Sequence, residues 1–302
     1  MERISRKKRR GGIHTNRMKG TSIPIIFDCN DNCISCPVPR RGTRPNPGIN
    51  EIKTDIDEIA KSSNHIEFTG GETTLNPDLI KILKHCGGKN FQEIGLLTNC
   101  KKFYYKNYVK PFSRIKNLKV ITTLYGSSAK IQDTITRTPN SFTHKIGGIK
   151  NLLEIGVNIE LRILLHKMNY LDLENISKMI IEKFPSRNIT KIVIMNPKLT
   201  FNAWQNKEKI TMKISELAKF LKNPIKELFK HGYNVQLYHF PHCILEKEIR
   251  NYSVGKTSQE PEIKFPKKCQ NCIYRKNCSG IWASYLAFIG NDEFKNIKQQ
   301  NA

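Results

Sequence analysis

The feature that most constrains the fold is a regular alternation of two hydrophobic patterns along the chain. Short runs rich in β-branched residues, typical of strands, alternate with longer stretches whose apolar residues recur at helical spacing. The predicted strands are residues 22–28, 65–70, 93–99, 118–126, 157–165 and 190–195. The predicted helices between them include residues 49–62, 77–86, 142–156 and 171–184. Strand–helix units in series predict an α/β fold with a parallel sheet and outer helices, either open or curled into a partial barrel.

The pattern changes after Met195. Residues 213–232 predict a helical stretch that is interrupted or restarted at Pro224, and residues 233–240 predict a further strand. The rest of the chain is rich in loops and cysteines, so we predict a domain boundary near residue 235. The predicted division is a basic, disordered arm at 1–20, a barrel domain at 21–234 and a small cysteine-rich domain at 235–302.

Three cysteines, Cys29, Cys33 and Cys36, directly follow the first predicted strand. Chemistry in such folds lies at the C-terminal ends of the strands, so we expect the three thiols on that face. A structural zinc site closes with four ligands, and no nearby fourth Cys or His makes a convincing partner. Three thiolates satisfy three irons of a 4Fe-4S cluster and leave the fourth iron open. Spacing alone leaves an iron–sulfur cluster, zinc and coincidence as alternatives.

The second predicted strand ends in Gly70-Gly71-Glu72. Two glycines let the backbone approach a ligand closely, and a Glu can accept from an ammonium group, although the three residues alone are also typical of a tight turn. Together with the C-x3-C-x2-C spacing, this motif resembles the radical S-adenosylmethionine (SAM) superfamily. The resemblance implies a partial (β/α)6 TIM-like barrel and a 4Fe-4S cluster on Cys29, Cys33 and Cys36, whose open iron binds SAM. It also implies that Gly70, Gly71 and Glu72 bind the amino group of SAM.

The same resemblance implies an activity and partners. Members of the family pass an electron, from a donor such as ferredoxin or flavodoxin, through the cluster to SAM. Cleavage of SAM gives a 5'-deoxyadenosyl radical that removes hydrogen from a substrate, so the cofactors supply the difficult chemistry and the protein supplies orientation and water exclusion.

Residues 122–170 are similar to the fourth and fifth barrel units of peptide maturases, notably those of His-Xaa-Ser peptide systems. This likeness implies that Thr123 contacts SAM and that Arg162 approaches its carboxylate or ribose. It also implies that Thr98 and Asn99 line the same cavity. The alternatives are barrel packing for the two threonines and a surface salt bridge for Arg162.

Two positions depart from the family pattern. Ser35 stands where the family has an aromatic residue near the adenine, and Thr73 stands where a proline commonly follows Gly-Gly-Glu. The first departure concerns the adenine contact and the second concerns the stiffness of the loop.

Four further cysteines, Cys243, Cys269, Cys272 and Cys278, lie in the last part of the chain. Four thiolates can close one tetrahedral or cubane site, and their spacing does not separate zinc from iron–sulfur. The pattern is similar to the short auxiliary-cluster (SPASM/twitch-like) domains of peptide maturases, which implies a second 4Fe-4S cluster. Residues 280–290 after them predict a packing helix, with Trp282 and Tyr285 in the core.

Two cysteines remain. Cys86 ends a predicted helix, and we expect an ordinary buried residue there. Cys100 follows Thr98-Asn99 at the catalytic face, where a catalytic role as hydrogen-atom donor to a substrate radical competes with a simple packing role.

Charge and compartment bear on the partners. Nine cysteines, an odd number, fit a reducing compartment better than a disulfide framework, and the absence of a signal or membrane-spanning stretch predicts a cytoplasmic protein. The net charge of +25, with consecutive basic residues from Arg6 to Arg10, favours RNA or acidic peptides as partners, unless it only solvates the surface.

The leading hypothesis is a radical SAM enzyme that modifies a ribosomally made peptide or protein. RNA modification is the competing enzymatic hypothesis, without a recognisable RNA-binding module to support it. A zinc-stabilised nucleic-acid-binding protein without radical chemistry is the third, and Gly70-Gly71-Glu72 counts against it.

Overall fold

The fold is known from a computed structural model, which describes residues 14–17, 20–39, 45–258 and 261–298. The strands are β1 (His14–Arg17), β2 (Gly20–Ile26), β3 (His65–Gly70), β4 (Glu93–Leu97), β5 (Leu118–Leu124), β6 (Asn158–Leu164), β7 (Ile189–Met195), β8 (Val235–Tyr238), β9 (Ile263–Lys264) and β10 (Ile281–Trp282). The helices are α1 (Ile49–Ala60), α2 (Leu79–Cys86), α3 (Lys106–Val109), α4 (Ala129–Thr136), α5 (Ser141–Glu154), α6 (Leu173–Lys183), α7 (Phe201–Gln205), α8 (Lys207–Ile210), α9 (Ile214–Ala218), α10 (Lys222–Lys230) and α11 (Ala283–Ile289). Short 3-10 helices occupy Thr73–Leu75, Lys101–Tyr104, Lys110–Arg114, Tyr170–Asp172, Ser186–Asn188, His242–Ile244, Lys247–Tyr252 and Lys267–Cys269.

The main sheet has eight strands in the order β1 to β8. Strands β2 to β8 are parallel, and β1 pairs with β2 in the antiparallel sense. Sequential order in a parallel sheet requires a helix or loop crossover between neighbours, which is the pattern of a barrel rather than of a doubly wound sheet. All six strands and the four helices named from the sequence are present, so the predicted α/β fold is confirmed.

An ion pair shows that the sheet is curled. Arg162 on β6 reaches Glu67 on β3, with 3.9 Å between Nη2 and Oε2, although β4 and β5 separate these strands. The contact therefore crosses the inside of the curled sheet. The fold is a partial barrel with an open lumen.

Alternation along the strands separates the lumen from the outer core. On β6, Ile159, Leu161 and Ile163 are fully buried in the main hydrophobic core, whereas Glu160 and Arg162 point to the lumen. On helix α1, Ile52, Ile56 and Ile59 are buried at spacings of four and three residues, which gives the helix one apolar face against the sheet.

Two regions differ in detail from the sequence prediction. Strand β1 lies inside residues 1–20, which were predicted to be a disordered arm, whereas residues 1–13, including the basic run, lie outside the described residues. The helical stretch at 213–232 is divided into α9 and α10, with Pro224 in the first turn of α10, where a missing N–H costs little.

The C-terminal segment packs against the barrel. Strand β8 begins at the predicted boundary near residue 235 and continues the barrel sheet. The predicted core residues Trp282 and Tyr285 are 6% and 3% exposed and belong to the same hydrophobic core as the barrel strands. The division into a barrel and an auxiliary domain stays a prediction.

None of the helices in the described part of the chain combines the length and the apolar character needed to cross a bilayer.

Candidate functional site

The three cysteines after β2 lie around one open cleft. Cys29, Cys33 and Cys36 all line a cleft of about 490 Å³, together with Gly71 from the loop after β3. This volume is within the range of about 300–1,000 Å³ that is usual for small-molecule sites. The cleft lies at the C-terminal ends of the strands, where the sequence placed it, and it brings the two motifs together.

Helix α4 anchors the cysteine loop on one side. The backbone N–H of Asn32 donates to Thr136 O at 3.0 Å, and that of Ile34 donates to Ile135 O at 2.9 Å. Both acceptors lie at the C-terminal end of α4, whose carbonyls lack partners within the helix. The loop therefore caps α4 while presenting its thiols to the cleft.

Helix α7 holds the other side of the loop. Ala203 N donates to Cys36 O at 3.2 Å, Thr200 Oγ1 donates to Pro37 O at 2.9 Å, and Asn202 Nδ2 donates to Cys33 O at 3.3 Å. A second, smaller hydrophobic cluster lies beneath these contacts and consists of Ile34, Tyr125, Ile135, Leu164, Leu199, Ala203 and Ile210. Packing and hydrogen bonds to its backbone carbonyls thus hold the cysteine loop in place through contacts within the protein itself.

The two glycines serve the chain's own backbone. A Cβ at Gly70, whose φ is +151°, would lie 2.0 Å from Ile26 O, and a Cβ at Gly71 would lie 2.2 Å from Asp28 O. The hydrogen bond from Gly71 N to Ile26 O at 2.8 Å requires this approach. We therefore find that the glycines allow the loop after β3 to dock against the end of β2, in addition to giving access to the cleft.

The carboxylate of Glu72 is occupied by donors from its own chain. It accepts from Thr74 N at 2.9 Å, Thr74 Oγ1 at 2.6 Å, Thr98 Oγ1 at 2.6 Å and Asn99 N at 2.6 Å. Glu72 is only 1% exposed. In this arrangement Glu72 joins the ends of β3 and β4.

A buried ion pair links the cysteine loop to the segment after β4. Lys101 Nζ lies 2.5 Å from Asp31 Oδ1, and the two side chains are 8% and 2% exposed. Asn99 Nδ2 also donates to Asp31 Oδ2 at 3.1 Å and to Asn30 Oδ1 at 2.7 Å. Asn99 therefore connects Glu72 with the cysteine loop. Thr98 and Asn99, predicted to line the SAM cavity, hydrogen-bond to Glu72, and Asn99 also reaches the cysteine loop. Their contact with SAM stays a prediction.

Burial raises the pKa of all three thiols. Desolvation raises the pKa of Cys29 to about 12 and raises those of Cys33 and Cys36 as well. A metal binds the deprotonated thiolate. The free energy of metal binding therefore has to exceed the cost of deprotonating these buried thiols. The positive charge of Lys145 lowers the pKa of Cys33 and so opposes the desolvation.

Lys145 on α5 is a buried lysine without an acidic partner in the described part of the chain. It is 2% exposed and donates to Thr123 O at 2.5 Å. A buried ammonium with one hydrogen bond retains two donors for an anion. Its position places a positive charge between the cysteine loop and the end of β5.

Thr123 and Arg162 face each other across β5 and β6. They are partners in the strand register, and the side chain of Arg162 is 19% exposed. Arg162 Nε donates to Glu160 Oε1 at 2.8 Å. The salt bridge that was the alternative for Arg162 is present, to Glu160 and Glu67, but it is largely buried inside the curled sheet and does not lie on the surface. Contacts of Thr123 and Arg162 with SAM stay predictions.

Tyr125 brings an aromatic ring to the cysteine loop. It is 8% exposed and lies against Ser35 and Cys33. Ser35, which replaces the aromatic residue of the family pattern, is itself 1% exposed. The ring beside this position is thus supplied by the end of β5.

The two remaining cysteines are buried in the hydrophobic core. Cys86 is 0% exposed, as predicted. Cys100 is also 0% exposed, and desolvation raises the pKa of its thiol to about 12. This burial favours the packing alternative for Cys100 over the role of hydrogen-atom donor.

The four C-terminal cysteines line one small pocket. Cys243, Cys269, Cys272 and Cys278 surround a pocket of about 20 Å³, which is much smaller than the cleft at the first site. Burial raises the pKa of Cys243 to about 11, and the other three thiols add to this effect because charges on neighbouring sulfurs repel. Four thiols around one small pocket suit a site whose ligands all come from the protein.

In the described ranges, no group of three or more His, Cys, Asp or Glu side chains has the geometry to hold a metal ion as it stands. The donor chemistry nevertheless fits the implied groups at both sites. Three thiols around an open cleft suit a cluster that keeps one exchangeable position, and four thiols around one small pocket suit a fully coordinated one.

Comparison with protein families shows to which superfamily the chain belongs. The sequence model of the radical SAM superfamily matches residues 23–180, which is more than half of the chain. The chain therefore belongs to the radical SAM superfamily and is an enzyme of that class, for which a 4Fe-4S cluster and SAM are the implied cofactors. Probable GTP 3',8-cyclases from strains of Saccharolobus islandicus are 27% identical over 158 residues, covering 49% of this chain and 48% of the relative. The chain thus spans about half the length of the curated relatives it matches.

Solved structures share the fold. The crystal structure of Streptococcus suis SuiB bound to precursor peptide SuiA has a TM-score of 0.60 and 16% identity, covering 74% of this chain and 49% of SuiB. The structure of native anSMEcpe with bound AdoMet and the Kp18Cys peptide has a TM-score of 0.55 and 17% identity, covering 72% of this chain and 63% of anSMEcpe. At these identities the likeness shows the partial-barrel fold.

Sequence reasoning missed three groups at the site. Lys145, Tyr125 and Asn202 lie far from the cysteine motif in sequence, and each looks like an ordinary helix or strand residue. One of the three residues could have been detected from the sequence. Lys145 lies on the face of α5 that packs into the core, where a lysine is unusual.

Proposed function

We propose that this protein reductively cleaves SAM and uses the radical formed to modify a ribosomally synthesised peptide or protein. The observation that carries the proposal is the meeting of Cys29, Cys33, Cys36 and Gly71 around one open cleft. In this proposal the three thiolates hold a 4Fe-4S cluster and the cleft receives SAM. When bound, the cluster supplies the electron that breaks a carbon–sulfur bond of SAM to give a radical that abstracts hydrogen from the substrate.

The residues around the cleft have separate roles. Gly70 and Gly71 bring backbone groups to the amino group of SAM, and Glu72 acts as a positioning residue that fixes this loop against β4. Lys145 supplies a positive charge for an anionic group, and Thr123, whose carbonyl accepts from Lys145, lies beside it. Arg162 points into the lumen from β6 and approaches the carboxylate or ribose of SAM.

The four C-terminal cysteines hold a second, auxiliary 4Fe-4S cluster. The four thiols around one small pocket favour a fully coordinated cluster over a site that binds substrate. An electron carrier such as ferredoxin or flavodoxin delivers the electrons.

The fold supports a peptide as substrate. Both SuiB and anSMEcpe, whose folds match most of this chain, are known with a peptide bound. The GTP 3',8-cyclase likeness covers only about half of each chain, so it supports the shared SAM chemistry more than a shared substrate.

Co-expression with short open reading frames next to its gene tests the substrate class. We expect a peptide whose mass changes only when wild-type protein is present, and not with a variant that lacks Cys29, Cys33 and Cys36. An unchanged peptide pool together with a modified nucleoside in digested RNA would contradict the peptide proposal and favour RNA modification.

A further inference from the structure

Next to the cleft lies an exposed apolar surface that the SAM chemistry does not use. We call it the rim surface and define it by Val38, Phe201, Trp204 and Phe288. Val38, Phe201 and Trp204 are 37%, 50% and 40% exposed, and Phe288 is half-buried. Val38 also lines the cleft, as does Asn202, the residue that follows Phe201. Adjacent large apolar residues exposed together are typical of a binding surface.

Phe201 is held in a strained conformation. Its φ is +47°, a left-handed value that is unfavourable for a bulky aromatic residue. In this conformation the ring is half exposed. Strain of this kind persists where the surrounding structure imposes it, and it is concentrated at functional sites.

The rim surface is rigidly joined to the cysteine loop. Thr200 and Ala203, on either side of Phe201, donate to Pro37 O and Cys36 O. On the other side, Leu199 N donates to Ser284 Oγ of α11 at 3.1 Å, and the Trp204 and Phe288 rings lie 6.4 Å apart. A ligand on this surface would therefore be held at a fixed position relative to the cleft.

Two basic side chains lie beside the rim surface. Lys207 Nζ lies 5.1 Å from the Trp204 ring centroid and 5.4 Å from that of Phe288. Arg137 is exposed and donates to Asn206 Oδ1 at 2.8 Å. Within the described ranges, neither Lys207 nor Arg137 forms an ion pair with an acidic side chain, and the whole chain has a net charge of +25. Charge complementarity therefore favours an acidic ligand.

The arrangement of the rings favours a peptide over RNA. The planes of Trp204 and Phe288 are inclined at 69°, so they do not form parallel platforms on which successive bases stack. Val38 adds an aliphatic group that suits an apolar side chain. We propose that the rim surface docks an acidic peptide segment with apolar side chains and so positions the peptide substrate at the cleft. This inference rests on the proposed function, because the ligand is a segment of its substrate.

Intrinsic fluorescence can follow this binding. The chain has two tryptophans, of which Trp204 is 40% exposed and Trp282 is 6% exposed. The probe is a short synthetic peptide of alternating Glu and Leu, added to full-length protein with reconstituted clusters. We expect the emission to shift to shorter wavelength and acrylamide quenching to fall, and we expect the Trp204→Phe variant to lose both changes.

Two variants separate docking from folding. Phe201→Gly relieves the strain at positive φ, so its unfolding midpoint is expected to equal or exceed that of wild type while peptide affinity falls about tenfold. Lys207→Gln is expected to weaken binding and to reduce its salt dependence. Phe229→Ala on α10, which removes a more exposed aromatic residue (62% against 50% for Phe201), is the control and should bind as wild type does.

Three results would overturn the inference: equal binding of a Lys–Leu peptide, tighter binding of a single-stranded oligouridylate, or wild-type affinity in Phe201→Gly. SAM cleavage by wild type is measured in parallel. Cleavage without peptide binding refutes only the docking surface, whereas absence of cleavage refutes the proposed function.

Discussion

The backbone N–H of Asn99 donates to the carboxylate of Glu72 at 2.6 Å, which ties the end of β4 to the loop after β3. The same Asn99 side chain reaches Asn30 and Asp31 of the cysteine loop. Three consecutive strand ends are therefore connected through two residues. In this arrangement Glu72 links the loop that contributes Gly71 to the cleft with the end of β4.

Replacing Glu72 tests this positioning role. Glu72→Ala leaves several buried donors without an acceptor, so we expect a loss of roughly 2–4 kcal/mol in the free energy of unfolding together with weaker SAM binding. Denaturant unfolding and SAM titration measure the two effects. The exposed Glu58→Ala is the control and should change neither. Weaker SAM binding at unchanged stability would show instead that Glu72 contacts SAM directly.

The buried pair of Lys101 and Asp31 gives a second prediction. Lys101→Met leaves the 2% exposed carboxylate of Asp31 without its cation, and we expect a destabilisation of about 3 kcal/mol with faster amide exchange in the cysteine loop. Lys106→Met, which breaks an exposed pair with Glu154, should cost less than about 0.5 kcal/mol. Equal effects of the two variants would show that the buried pair does not hold the loop.

The strands, the main helices and the position of the cysteine loop could be predicted from the sequence, because hydrophobic period and the order of elements are local properties. The role of Glu72 could not, since its partners Thr98 and Asn99 come from the next strand. The position of Arg162 in the lumen depends on the curling of the sheet. The hydrophobic pattern of a single strand does not predict this curling. Residues such as Lys145 are brought to the site only by tertiary packing.

The lumen ion pairs predict a dependence of stability on pH. Burial would raise the pKa of Glu160, but Arg162, Lys191 and Lys119 outweigh it and hold that pKa at about 2, below the ordinary value of 4.5. A carboxyl group with a lowered pKa stabilises the fold above its unfolded pKa, and this stabilisation is lost as pH falls through the folded pKa.

We therefore expect wild type to lose stability more steeply than Glu160→Gln between about pH 4.5 and pH 2, and to be more stable by roughly 3 kcal/mol at neutral pH. Unfolding midpoints across this range measure the difference. Glu216→Gln, which alters an exposed pair with Lys219, is the matched control. Parallel pH profiles for wild type and Glu160→Gln would contradict the prediction.

The C-terminal cysteines predict a second metal centre. If they hold a 4Fe-4S cluster, anaerobically reconstituted protein contains about eight irons per chain and Cys272→Ala lowers this number while the first cluster stays. Metal analysis and electron paramagnetic resonance measure the two centres. Zinc bound in place of the second set of irons would identify a structural zinc site in this segment.

The most direct test of the central claim is formation of 5'-deoxyadenosine from SAM by the anaerobically reconstituted, dithionite-reduced protein. We expect slow formation without substrate, and none when Cys29, Cys33 and Cys36 are changed together to Ala, with the C-terminal metal content unchanged. If the triple variant forms 5'-deoxyadenosine at the wild-type rate, or if zinc occupies the first site of the wild type, the cleft after β2 is not where SAM is cleaved.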